Sequence, residues 1–242
     1  MNKLLKRVKK RFLCHPSLIC CPCILCIFYK TVDFLQFLII LYLIRRFGGI
    51  PVYKLCKTEQ SAARQRELEL ALASMMLLQR YEDITVSEFC SYAGIPRKAF
   101  YRYFSSKDGA LYALIDHTML EYEGLRTAHT SRSRSDMREL EGFFRFWQQQ
   151  KQVLDALENS GLSGVLLERA IGSIEQVTLL RRLLPGDSEF AQRQILRFTV
   201  SGIMIMMVNW HHEGYRESPR EMAELTRRML NEPLFPYVQE LF

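Results

Sequence analysis

Residues 84–111, ITVSEFCSYAGIPRKAFYRYFSSKDGAL, hold two short helical patterns joined by one turn. Thr85 is suited to cap a helix over 86–92, because its hydroxyl oxygen accepts from the free amides of a first turn. Val86, Phe89 and Cys90 then lie on its inner side. Gly94 permits a left-handed turn, and the fixed φ of Pro96 suits the first turn of a second helix that continues to Phe104. Phe100 and Phe104, four residues apart, anchor the inner face of that helix. Arg97, Lys98, Tyr101 and Arg102 face outward with Tyr103 beside them. Two short helices across an A-G-x-P turn make a helix-turn-helix. Between Thr85 and Lys107 four Lys/Arg stand against one acid, Glu88, a local charge of +3. Such a focused basic patch is what a polyanionic duplex attracts.

Outward from this unit the chain stays helical, so the fold class expected is all-α. Upstream, Ser61 caps a helix reaching about Arg80, with Leu68, Leu72, Met75 and Met76 on one face. Downstream, a helix from Lys107 or Asp108 to about Thr127 links head to body through Leu111, Leu114, Ile115, Met119 and Tyr122. The polar stretch 127–136 reads as a loop. One helix over 136–159 carries Leu140, Phe143, Phe144, Trp147, Leu154 and Leu157, and a second over 163–184 carries Leu166, Leu167, Ala170, Ile171, Ile174 and Val177. Between them an apolar cavity with aromatic walls is expected, in competition with plain core packing. Pro185-Gly186-Asp187 breaks the chain. A long helix follows from Ser188 to about Glu213, and a last one spans 219–230; together they suit a four-helix dimer bundle, two helices from each subunit.

The order and spacing of A-G-hydrophobic at Ala93-Gly94-Ile95, aromatic-Tyr-x-x-Phe at Phe100 to Phe104, and the following Lys107 resemble the N-terminal signature of the TetR family of transcriptional regulators over residues 62–115. Looser similarity continues in Phe143-Phe144-Arg145-Phe146-Trp147 and in Trp210 to Pro219. The resemblance implies an all-helical homodimer with a DNA-binding head and a larger effector-binding body, released from a palindromic operator by an unknown small molecule. It implies domains at 57–117 and 118–242, and repression as the usual outcome. By the same resemblance Thr85 and Lys107 bond phosphates and Tyr101 and Tyr103 touch backbone or bases. Arg97, Lys98 and Arg102 read sequence or neutralise phosphate, and Ser87 and Ala99 belong to the same DNA-facing set. Pro96 and Ala99 stand where the family commonly has hydroxyl side chains. The expected effector-pocket residues are Phe143, Phe144, Trp147, Leu154, Ile171, Ile174 and Phe198. The expected dimer residues are Phe190, Ile195, Gly202, Ile203, Met206 and Trp210.

Composition limits the alternatives. The 242 residues are 48% hydrophobic and 24% charged, which excludes a disordered or low-complexity chain. The net charge of +7 is concentrated: residues 1–56 hold ten of the 33 Lys/Arg but only one of the 26 acids, so residues 57–242 stand at −2. Six of seven cysteines also precede residue 57, and the body needs no disulfide framework, which fits a reducing, cytoplasmic and nucleoid-associated setting. The segment 1–56 is thus a basic, Cys-rich, apolar extension, expected not to belong to the mature protein. Its apolar runs, 18–29 and 34–44, each fall short of the roughly 20 residues of a membrane span. Membrane association through residues 12–50 is the alternative localisation. Cys20, Cys23 and Cys26 have C-x-x-C-x-x-C spacing, and a metal or redox sensor over 14–26 is the third functional reading. The adjacent His211 and His212 point to different helix faces and make a poor metal pair. No catalytic motif, Walker loop or dinucleotide fingerprint is present, so neither an enzyme nor a cofactor or metal site is expected.

Overall fold

In a computed structural model, the protein is described over Tyr53, Lys54, Cys56 and residues 58–128, 136–176 and 188–232. The membrane reading of residues 12–50, the sensor reading of 14–26 and the break at 185–187 lie outside the described residues, as does the side chain of Ile174.

Nine α-helices occur among the described residues. They are α1 (Glu59–Met76), α2 (Val86–Tyr92), α3 (Arg97–Tyr103), α4 (Lys107–Ala128), α5 (Asp136–Gln149), α6 (Lys151–Asn159), α7 (Ser163–Gln176), α8 (Glu189–His212) and α9 (Pro219–Asn231), with one 3₁₀ turn at Tyr81–Asp83. The all-helical expectation therefore holds. Polar caps set several of the helix starts. Thr85 starts α2 in a reciprocal capping box with Glu88, and Ser218 starts α9 in the same way with Glu221, Pro219 occupying the first turn. Ser188 caps α8 by accepting from the Ala191 amide.

Two boundaries differ from expectation. Thr58, not Ser61, caps α1: its Oγ1 accepts from the Ser61 amide, so the helix begins at Glu59. The single helix expected over 136–159 is two. At Gln150 the backbone leaves helical geometry (φ −87°, ψ 24°), and its amide turns to both Phe146 O and Trp147 O. The apolar spacing runs on through the break because both halves bury their apolar faces in one core.

That core is continuous. Leu68, Leu72 and Met76 of α1, Phe89, Phe100 and Phe104 of the helix-turn-helix, and Leu111, Leu114 and Ile115 of α4 join Phe144, Trp147, Leu154, Leu157, Leu166, Met207 and Trp210 in one buried cluster. In it α1 packs on α4 and α6, α9 lies along α5, and α8 lies along α7. The helix-turn-helix is thereby seated on a frame through α1 and α4. A buried polar clamp fastens those two helices. Arg66 donates to Thr118 Oγ1 (2.9 Å) and pairs with Glu121 (2.8 Å), while the fully buried Glu69 receives Arg66 (3.3 Å) and His117 Nδ1 (2.8 Å). Among the described residues no helix is long and apolar enough to cross a membrane.

Candidate nucleic-acid interface

The turn between α2 and α3 is built by main-chain bonds. Gly94 adopts φ +63°, the left-handed region that glycine enters without steric cost. Its amide donates to Ser91 O and the Ile95 amide to Cys90 O (2.9 Å), a Schellman closure of α2. The chain then re-enters a helix at once. Pro96 holds the cap position without a side-chain bond, and its carbonyl accepts from Ala99 (2.8 Å).

This turn presents one face of α3 to the core and the other outward. Phe100 is 1% exposed and meets Phe89 edge-on at 5.6 Å, and Phe104 is buried beside it. Arg97, Lys98 and Arg102 are exposed, Tyr101 is 43% exposed, and Ala99 and Tyr103 are half-buried. The Arg97 guanidinium donates to Ser87 Oγ (3.2 Å) and so ties the start of α3 to the start of α2. Arg102 lies over the Tyr103 ring, 5.9 Å from its centroid. The Thr85 hydroxyl is exposed and engaged with Glu88, whose carboxyl is held below the usual range by bonds from the Thr85 hydroxyl and amide.

Lys107 is engaged within its own chain. The resemblance gives it a phosphate, but its ammonium donates to Tyr81 O (2.7 Å) and Glu82 O (3.2 Å) and lies 4.3 Å from the Tyr81 ring centroid. It is half-buried and braces the loop ahead of α2. Tyr81 is held from the other side by Asp108, to which its hydroxyl donates (2.5 Å), and by Ser160, which accepts its amide (3.0 Å). Burial, with Asp108 beside it, pushes the Tyr81 phenol well above its ordinary range and keeps it a donor.

Residues ahead of α1 join this face. Tyr53 forms an antiparallel bridge with Phe104, the Lys54 amide donates to Tyr103 O (2.8 Å), and Lys54 Nζ donates to Tyr101 O (3.1 Å). Lys54 is exposed and brings a further cation to the end of α3. Tyr53 is 5% exposed, so the folded body reaches at least four residues ahead of the composition border at 57. The change in charge and cysteine content hid this pair; the remaining local signal was an aromatic one turn ahead of a cap.

The expected pocket residues do not assemble as one wall. Phe144, Trp147 and Leu154 are buried in the core, Phe143 and Ile171 are half-buried, and Phe198 is 69% exposed on the outer side of α8. Phe198 is therefore removed from the pocket set. An open groove of about 640 Å³ lies elsewhere, between α5 and α9, and is lined chiefly by Arg138, Glu141, Arg220, Glu224, Arg227 and Arg228. Trp210 is removed from the dimer set: it is 2% exposed, meets Phe144 edge-on at 5.6 Å, and donates from Nε1 to Glu217 O. Ile203 and Met206 are half-buried, whereas Phe190, Ile195 and Gly202 are exposed as an interface requires. Among the described residues no group of three His, Cys, Asp or Glu is placed to hold a metal ion.

No protein-family model matches the chain. No characterised relative matches it in sequence. Solved structures do match in fold. Lin0861 from Listeria innocua aligns at 15% identity over 76% of this chain and 98% of its own, with a TM-score of 0.55. The fatty acid degradation regulator FadR from Bacillus halodurans aligns at 13% identity over 74% and 98%, with a TM-score of 0.52. The TetR family repressor AlkX from Dietzia sp. aligns at 16% identity over 73% and 95%, with a TM-score of 0.41. With its all-helical body and Schellman-closed helix-turn-helix, the chain shares its fold with Lin0861 and with FadR.

Proposed function

We propose that the protein is a sequence-specific regulator of transcription that binds double-stranded DNA as a homodimer, with α3 in the major groove. The observation that carries this reading is the two-sidedness of α3: Phe100 locked into the core, and Lys98, Tyr101 and Arg102 outward beside the exposed starts of α2 and α3. A helix so anchored presents its outer side chains as a rigid set, which base-edge and phosphate contacts need. Arg97, Lys98 and Arg102 neutralise phosphates or read bases, Tyr101 and Tyr103 contact the backbone or bases, and Thr85, Ser87 and Ala99 border them. The fold it shares with a fatty acid degradation regulator agrees with a role in gene control. The DNA-binding head comprises residues 57–117 together with the Tyr53–Cys56 arm, and residues 118–242 form the effector-binding and dimer-forming body.

In the dimer, two heads sit about one helical turn apart, roughly 34–36 Å, over a palindrome. A small molecule that binds only a state with altered head spacing weakens DNA binding by its differential affinity, and the outcome is repression relieved by that molecule. No catalytic role is proposed.

The test is selection from a random duplex pool by the full chain, followed by binding to the winning duplex at several salt concentrations. Enrichment of a palindrome, bound with affinity falling steeply with salt and lost on Tyr101→Ala, supports the reading. Failure to enrich any sequence overturns it.

A further inference from the structure

The body and the end of α3 are joined by a polar chain that the DNA-binding reading does not require. Arg169 on α7 donates from Nε to Asp116 Oδ1 (2.8 Å) and from Nη2 to Oδ2, a two-pronged pair with a buried carboxylate on α4. Its guanidinium also lies over the Tyr112 ring, 5.1 Å from the centroid. Asp116 Oδ2 accepts in turn from the Tyr53 hydroxyl (2.7 Å). The Tyr53 ring stands edge-on to His117 at 5.3 Å, which fixes its direction. From Tyr53 the connection becomes main chain: the bridge to Phe104 and the Lys54 amide on Tyr103 O, seconded by Lys54 Nζ on Tyr101 O.

We propose that Arg169 is a positioning residue for the recognition helix, acting through Asp116 and Tyr53 on the arm that grips the carbonyls of Tyr101 and Tyr103. The inference rests on the DNA-binding reading for its purpose but not for its geometry. A bidentate guanidinium–carboxylate pair has a defined direction as well as a charge, so a shift of α7 reorients Asp116 instead of merely loosening it. The Tyr53 hydroxyl follows, because its partner is buried and a dry polar group left without one is costly. Burial and the neighbouring carboxylate hold the Tyr53 phenol far above its ordinary range, so the hydroxyl keeps the proton that it donates to Asp116. The arm reaches the end of α3 through the Lys54 amide and ammonium, and the body through the Tyr53 hydroxyl on Asp116 and the Cys56 thiol on Gln65. Movement in the helix that carries Ile171 and Ile174 therefore reaches the end of the DNA-facing helix through the Asp116 side chain of α4 and the arm.

Amide exchange on the full chain tests this without DNA. Tyr53→Phe keeps the ring and its contact with His117 and removes only the hydroxyl; Arg169→Gln removes the cation and leaves a polar side chain. Each is expected to speed exchange of the Lys54 amide and the 101–104 amides about tenfold, the scale of one net hydrogen bond, while the α9 amides stay unchanged. The double variant is expected to exchange no faster than the faster single one, since both cut the same chain. Additive effects, an unchanged Lys54 amide in Arg169→Gln, or equal acceleration everywhere would overturn the proposal, the last because it marks general destabilisation. On a duplex enriched by the wild-type chain, both variants are expected to weaken binding with the salt slope unchanged, because no phosphate contact is removed. A slope reduced by about one would make Arg169 a direct contact and also overturn the proposal. If no duplex is enriched, the DNA-binding reading fails while the exchange result still decides the relay.

Discussion

Phe100 and Tyr101 are neighbours in sequence with opposite surroundings, one sealed in the core and the other presented to solvent, and their substitutions separate folding from recognition. Phe100→Ala is expected to cost about 3–5 kcal/mol in urea unfolding, the usual loss for a buried phenylalanine. Tyr101→Ala is expected to leave stability within about 0.5 kcal/mol and to abolish preference for the selected duplex. Lys98→Ala shares that neutrality, and it should lower the salt slope of binding by about one if its ammonium meets a phosphate. Lys107→Ala reverses the pattern: its ammonium holds two protein carbonyls, so about 1 kcal/mol of stability is lost and the slope is retained. A slope change for Lys107 without a stability change would restore the phosphate contact that the family pattern implies.

At the scale of elements, the meeting of α6 and α8 carries a pH dependence. His211, buried at the end of α8, has Nε2 3.0 Å from Glu158 Oε2 and 3.3 Å from Asp155 Oδ1, and Nδ1 2.8 Å from the Tyr215 hydroxyl. Burial lowers its pKa below the ordinary histidine value of 6.5 against the opposing pull of both carboxylates. The unfolded chain therefore binds this proton more readily. Its contribution to stability is whole above about pH 6.5 and is lost as pH falls from there through the folded value. Exposed His212 is shifted upward by Glu158 and works weakly in the opposite sense. Thermal midpoints at pH 7.5 and 5.5 check this: the drop should be smaller in His211→Asn than in the wild type, and an equal drop refutes it. The Thr85 cap was legible in sequence, and the starts of α8 and α9 fell within one residue of those read, because a helix start is decided by residues within one turn. At α1 two hydroxyls three residues apart competed, and the cap is Thr58. The break at Gln150 was not, since both halves keep one apolar stripe and no glycine or proline marks the change. The arm at Tyr53 was not, because its partners lie 51 to 63 residues away. Of the candidate interface, α3 was legible for the same local reason as the caps, whereas the commitment of Lys107 to Tyr81 and Glu82 depends on a loop 25 residues earlier.

At the scale of the whole molecule, the outer side of α8 is what a single chain leaves unexplained. Periodicity marks two apolar stripes on this helix without telling which one meets its own chain. Met204, Met207 and Trp210 are taken into the core, and Ile195, Phe198, Gly202 and Ile205 are left exposed at spacings of three, four and three, the seam spacing of packed helices. On α9, Leu225 and Met229 are exposed four residues apart. Exposed apolar side chains at this spacing suit the dimer interface proposed above, in which two-fold symmetry doubles every contribution. Burying one phenylalanine side chain gives about 1.5–3 kcal/mol, so Phe198 contributes roughly 3–6 kcal/mol per dimer. Phe198→Glu also places two carboxylates in the seam. The expected outcome is a rise in the dimer dissociation constant of at least about 100-fold, read by sedimentation velocity, with the helical signal unchanged. Affinity for the full palindrome should fall with it, while weak binding to a half-site persists, because the recognition helix and its anchor at Phe100 are untouched. If Phe198→Glu remains a dimer at the same concentrations, the partner sits elsewhere, and the α8 stripe is then free for a different protein.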